Sequence, residues 1–141
     1  MKTKKYVVGF AFSADRSQVL LVRKLRPDWQ KDLLNGIGGK IEEGETPRIA
    51  MDRECIEETG CYFPWTCKGL MTGINNDRSA FECHIFFAYT NSIHNFKQKE
   101  DEPLSIWSIK ALAGESMLDN LNFLIPFGLI DDQPFMRLEY R

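Results

Sequence analysis

The chain has 141 residues, 43% of them hydrophobic and 27% charged, with a formal net charge of −2. That length suits a single domain, and that composition excludes wholesale disorder. Near neutrality argues against a protein that wraps a nucleic-acid polymer or coats a membrane surface, and no apolar run approaches the roughly 20 residues of a membrane span. One domain over residues 1–141 is expected.

Lys2, Lys4 and Lys5 precede the apolar run Tyr6–Phe12, a loose likeness of a signal peptide. The run is short and contains Gly9, so it reads as a retained first strand, and a reducing cytoplasm is the expected setting. Residues 5–13 and 18–24 are β-rich around Ala14-Asp15-Arg16-Ser17 and read as a hairpin. Residues 25–31 are polar, contain Pro27 and Trp29, and read as a loop. Residues 33–39 are too glycine-rich for a helix and read as a short strand breaking into a turn at Asn35-Gly36.

Residues 46–59 give the clearest helix. Thr46 suits the N-cap, Pro47 the first helical position, and Gly60 the stop. Ile49 and Ile56 fall on one face, while Glu54, Glu57 and Glu58, at i, i+3 and i+4, share the opposite one. Residues 68–75 and 80–90 read as a long hairpin, 91–102 as a polar loop and 104–109 as a short strand. Residues 111–114 and 121–130 have helical character, with Pro126 kinking or shortening the second. Strands outnumber helices, so the expected class is α/β, a mixed sheet flanked by helices. Cys55, Cys61, Cys67 and Cys83 form no Cys-x-x-Cys pair and are too few for a disulfide scaffold; they read as small buried apolar residues.

The charge is unevenly placed. Residues 40–60 hold seven acids and three bases, a net of −4, which leaves +2 on the remainder. Three glutamates on one helix face repel one another by a few tenths of a kcal/mol, roughly, per i,i+4 pair. Such a face is either simply solvated or offset by a cation. Oxygen-only ligands select a hard cation, Mg²⁺ or Mn²⁺, and Mg²⁺ sites of this kind work on phosphate esters or anhydrides. Just upstream, the run Gly36-Ile37-Gly38-Gly39-Lys40 offers backbone N–H groups and one cation to phosphate oxygens, or merely shapes a turn. It is not a P-loop, because the spacing to Lys40 is wrong.

Together, Gly39, Glu45, Arg53-Glu54-Cys55-Ile56-Glu57-Glu58-Thr59-Gly60 and Cys61 resemble the Nudix hydrolase signature at every fixed position. The resemblance implies a Nudix α/β/α sandwich with a central mixed β-sheet. It implies that Glu54, Glu57 and Glu58 bind the metal, Mg²⁺ with Mn²⁺ as a substitute, and that Arg53 and Glu45 form the pair that ties the loop to the helix. Gly39 and Gly60 become structural glycines, with Gly39 also at the metal site. Glu102, or next Glu100, becomes the extra carboxylate from a later loop, unless that loop is simply a solvated acidic one. Glu54 and Glu57 are the catalytic candidates, with Glu54 both ligand and candidate base.

The run from Leu34 to Lys40 further resembles that of the MutT-like enzymes acting on oxidised purine nucleoside triphosphates. By that likeness Asn35 is a candidate base reader, or a plain Asn-Gly turn, and Asn120 and Asp119 are candidates near the C-terminus. Gly38 and Lys40 would face the phosphates, and Trp29 is a candidate stacking residue. The implied activity is Mg²⁺-dependent hydrolysis of a nucleoside triphosphate to a monophosphate and pyrophosphate. The alternatives are another nucleoside diphosphate derivative (ADP-ribose, a dinucleotide polyphosphate, an RNA 5′ end) or a silent nucleotide-binding domain. The partner is a small nucleotide rather than a nucleic-acid polymer or a membrane, and oligomeric state stays open.

Overall fold

The computed structural model describes residues 3–140, so Lys2 of the leader-like N-terminus lies outside the described residues. Eight strands form one mixed sheet, and an α-helix covers each face, the expected α/β/α sandwich. Strands β1 (Lys4–Phe12) and β2 (Gln18–Arg23) make the expected hairpin, paired at Ala11↔Leu20 and Phe12↔Val19. Asp15 shapes its turn by accepting from the Ser17 hydroxyl at 2.7 Å, the Ser17 N–H at 3.0 Å and the Ser13 hydroxyl at 2.7 Å. Those bonds, Ser17's first, hold its carboxyl down at about 2.

The segment after the loop departs from expectation. Asn35-Gly36 is not a hairpin turn; the chain changes partner there. β3 (Leu34–Asn35) pairs with β2, and β4 (Ile37–Lys40) pairs antiparallel with β1 from Gly9↔Ile37 to Tyr6↔Lys40. Gly36 sits at the fork, where a Cβ would lie 2.6 Å from the Gly9 carbonyl oxygen. One edge of β1 is thus divided between β2 and β4. Its other edge pairs in parallel with β6 (Ala80–Tyr89), which forms the expected hairpin with β5 (Thr66–Ile74). β7 (Leu104–Ser108) pairs with β2. A strand not anticipated from the sequence, β8 (Met136–Glu139), adds in parallel to β5.

Helix α1 (Pro47–Thr59) begins and ends as expected. The Thr46 hydroxyl accepts from the Ile49 N–H at 3.2 Å, and Gly60, at φ 71°, closes the helix by donating to the Ile56 carbonyl at 2.9 Å. Its buried side differs, because it comprises Ala50, Met51, Cys55, Glu58 and Thr59, while Ile49 is 53% exposed. Small residues let the helix lie close to the sheet, where Met51 and Trp65 meet over Gly9. This roll turns Glu58 into the interior, while Glu57 stays exposed.

Helix α2 (Leu121–Gly128) covers the opposite face with Leu121, Leu124 and Ile125 against Phe10, Phe12 and Phe87. Pro126 lies near its end, where few helical bonds remain to be lost. All four cysteines are free. Cys55 and Cys83 are buried, and burial pushes their thiols up to about 11 and about 12; Cys61 and Cys67 are only partly buried. Among the described residues no helix is long and apolar enough to cross a membrane.

Candidate active site

The site forms where β4 runs under α1. Gly39 pairs with Val7 on β1, and its missing side chain admits the carboxylate of Glu54: a Cβ there would lie 2.4 Å from Oε1 and 2.6 Å from Cδ. Gly38 is confined by backbone instead, since its Cβ would lie 2.0 Å from the Val7 carbonyl oxygen. The glycine run therefore does more than turn the chain. It brings backbone and carboxylate together where no larger residue fits.

Arg53 organises the acids. It donates from Nε to Glu45 Oε2 at 2.7 Å and from Nη2 to Glu45 Oε1 at 3.0 Å, the two-point geometry a guanidinium suits. Nη2 also reaches the Lys40 carbonyl at 2.9 Å, and Nη1 reaches Glu54 Oε1 at 2.9 Å and Glu57 Oε2 at 3.3 Å. One side chain thereby ties β4, the loop after it and two helix carboxylates together. The Glu45 bonds raise Arg53 above its ordinary value, and Arg53 holds Glu45 below its own.

Glu58 is 8% exposed and its Oε2 is buried with no partner. Burial, and then the charge of Glu54, push its carboxyl up to about 9, with Lys24 pulling the other way. Glu54 is also raised, mainly by burial, although Arg53 opposes this. As the described residues stand, no three Asp, Glu, His or Cys side chains converge on one cation-sized point; Glu54 and Glu57 turn to Arg53 instead. A divalent cation fits this donor set. The orphaned Glu58 oxygen lacks a positive partner, the Gly39 cradle leaves Glu54 room beside it, and all the donors are oxygens.

Glu102, the first choice for an extra ligand, meets one ammonium and two backbone N–H groups. Its Oε1 takes the Lys24 ammonium at 2.9 Å, and its Oε2 takes the N–H groups of Leu25 at 2.7 Å and Arg26 at 3.3 Å. Against burial, those bonds hold its carboxyl below the ordinary range. Glu102 is a tether between two loops, and the second choice, the exposed Glu100, is the acid of that loop whose charge reaches Glu58. The loop also has a clamp that no sequence pattern marks: Gln98 donates to the carbonyls of Glu100 at 2.7 Å and Glu102 at 2.8 Å and accepts from the Leu104 N–H at 2.8 Å.

The candidate base readers divide. Leu34 bonds the chain on both sides of Met117, donating to Ser116 at 3.0 Å and accepting from Leu118 at 3.1 Å, so the strand bearing Asn35 runs beside the segment ending in Asp119 and Asn120. Asn35 folds its amide oxygen back onto the Gly36 N–H at 2.8 Å. Asn120 reaches Met71 Sδ with Nδ2 at 3.9 Å, while its Oδ1 is buried without a partner. Asp119 and Lys40 are exposed. Trp29 is 66% exposed on the short 3₁₀ turn Asp28–Gln30. Met71 and Cys83, cross-strand partners beside Asn120, were missed; the alternation of β5 and β6 was the signal that put them on one face.

The NUDIX domain family model matches residues 3–120, most of the chain, so the chain belongs to that family. Among solved structures, the NUDIX hydrolase from Nitrosomonas europaea is 22% identical with a TM-score of 0.74, covering 95% of this chain and 93% of that one. The MutT protein from Bacillus halodurans is 19% identical with a TM-score of 0.70, covering 97% and 90%. The NUDIX domain of Shewanella oneidensis NrtR, solved with ADP ribose, is 17% identical with a TM-score of 0.73, covering 89% and 86%. At these identities the neighbours establish the fold, that of Nudix and MutT proteins.

Proposed function

We propose that this Nudix domain is a Mg²⁺-dependent pyrophosphohydrolase of nucleoside triphosphates, with modified purine nucleotides, such as oxidised ones, the favoured substrates. The observation that carries this is the pairing of two unsatisfied features: the buried Glu58 carboxylate beside the Gly39–Glu54 cradle, and the orphaned amide oxygen of Asn120. The first suits a cation that grips phosphate, the second a nucleobase edge carrying a donor.

Glu54, Glu57 and Glu58 would hold Mg²⁺, which neutralises phosphate oxygens and lowers the pKa of water. The N–H groups of the β4 glycine run and the Lys40 ammonium hold the remaining phosphate oxygens. Arg53 fixes Glu54 through Oε1 and leaves Oε2 to take the proton of the attacking water. Water adds to one phosphorus, the bridging P–O bond breaks, and the products are nucleoside monophosphate and pyrophosphate. Asn35 and Asn120 select the base, with Asp119 beside them.

A pyrophosphate-release screen over canonical and oxidised nucleoside triphosphates, ADP-ribose and dinucleotide polyphosphates, with Mg²⁺ and with Mn²⁺, tests this. Metal-dependent release from a purine triphosphate, abolished in Glu57→Gln, is the expected result. Preference for ADP-ribose or a dinucleotide would replace the substrate class and keep the chemistry. No turnover on any substrate would overturn the enzyme.

A further inference from the structure

The family match ends at residue 120, yet the chain goes on to place a strand against the proposed recognition face. β8 runs parallel to β5 with Gly69↔Met136, Met71↔Leu138 and Thr72↔Glu139 in register, and Tyr140 continues the pairing by donating its N–H to the Thr72 carbonyl at 2.8 Å. Registered residues on neighbouring strands share a face. Leu138 therefore lies in one row with Met71, Cys83 and Tyr6. Met136 and Leu138 pack against the apolar cluster that holds Met71, Cys83, Leu118 and Leu121.

Strand alternation puts Tyr140 on that same face, one row further out. Gly73 confirms the placement. A Cβ there would lie 2.7 Å from the Phe81 ring and 2.9 Å from the Tyr140 Cβ, so its absence lets Phe81 and Tyr140 close up beside one another. Asp119 is near enough that its charge, after burial, raises the Tyr140 phenol. Asn120 reaches into the same row through its contact with Met71.

We propose that β8 is the outer wall of the nucleobase pocket, and that Leu138 and Tyr140 are specificity-determining residues which select purine bases across from Asp119 and Asn120. This rests on the reading of Asn120 as a base-contacting amide. The floor is apolar and sulfur-bearing, from Met71 and Cys83. One end carries an amide with both a donor and an acceptor, and the wall carries a phenol able to be either. A flat base with mixed donors and acceptors on its edges is the ligand such a pocket takes. The phosphate end lies on β4 and α1, away from this wall, so changes here act on choice between bases rather than on the chemical step.

The test measures kcat/KM for a panel of purine and pyrimidine triphosphates, canonical and oxidised, in Tyr140→Phe, Leu138→Ala and Asn120→Ala. Arg137→Ser, on the other face of β8, serves as the control for disturbance of the strand. Tyr140→Phe and Leu138→Ala are expected to change the ratio between best and second-best base by roughly tenfold, carried by KM, with kcat for the best substrate near wild type. Arg137→Ser should leave the ratio unchanged. If Asn120→Ala shifts the ratio while the two wall variants do not, the wall is refuted and the amide reader stands. If none of the three shifts it, the base-contact reading itself falls. Should Leu138→Ala fold poorly, Tyr140→Trp gives a second reading: a non-hydrolysable purine triphosphate should change its emission beyond the change seen in wild type, and no extra change overturns the proposal.

Discussion

Gly38 and Gly39 stand next to each other on β4, and a single methyl at each has opposite consequences. At Gly39 the obstacle is a side chain. A Cβ would lie 2.4 Å from Glu54 Oε1, whereas real Cβ contacts stay above 3.0 Å. The carboxylate must therefore retreat by at least about 0.6 Å, which it does by rotation, taking it off its Arg53 bond of 2.9 Å. Misplacement of a reacting group on the scale of 1 Å costs on the order of 10²-fold in rate. At Gly38 the obstacle is the Val7 carbonyl at 2.0 Å, and backbone cannot rotate away. Forcing β4 off β1 costs on the order of 2–3 kcal/mol, or about 10 °C in melting temperature for a domain of this size. Pyrophosphate release and thermal melting are measured on both variants. Gly39→Ala should lose about two orders of magnitude in kcat while melting within a few degrees of wild type. Gly38→Ala should melt low. Wild-type turnover in Gly39→Ala refutes the claim that its missing side chain makes room for Glu54; an unshifted melt in Gly38→Ala refutes the backbone clash.

In the metal-free protein, the fold keeps Glu58 protonated up to about 9, whereas the unfolded chain releases that proton near the ordinary 4.5. Stability is thus full below the lower value and is lost as pH rises toward the upper one; Glu58→Gln should flatten that slope in a series of melts, and an unchanged slope contradicts the burial argument. Mg²⁺ should raise the melting temperature of wild type and fail to raise that of Glu58→Gln, which a thermal shift assay reads without any turnover. Arg53→Lys keeps the charge but cannot fork to Glu45 while reaching Lys40 and Glu54, so kcat should fall sharply; near-normal turnover would mean that charge alone suffices. Thr46→Ala removes the cap of α1 and should cost about 1 kcal/mol in denaturant unfolding, with m unchanged.

What the sequence disclosed was local. Thr46, Pro47 and Gly60 mark the ends of α1 because caps depend only on neighbouring backbone, and the signature residues from Gly39 to Cys61 are fixed by their spacing. What it hid depended on distant partners. The roll of α1 that buries Glu58 and exposes Ile49 follows from close approach of the sheet at Gly9 and Trp65, not from helical periodicity. Glu102 stands out in the sequence as a carboxylate, but its bond to Lys24, 78 positions away, does not. β8 spans four residues and exists only because β5 offers an edge more than sixty residues upstream, a parallel pairing that no local pattern announces. Asn35-Gly36 carried the signal of a hairpin turn, and the glycine serves instead to let one strand leave another.

That fork along β1 divides the labour of the chain. The elements that would handle phosphate, β1, β4 and α1, are closed by residue 60, while the apolar floor, Asn120 and β8 come from residues 71–140. Retargeting such a protein to another base is therefore a problem for residues 71–140 and for Asn35, the one base reader placed before residue 60. Exchanges along β8 can be sampled while the fork keeps the Gly39–Glu54 contact fixed. A library confined to Met71, Asn120, Leu138 and Tyr140 would alter preference at little cost in chemistry, and the same diversity spread over β4 would mostly produce chains that no longer close around Val7.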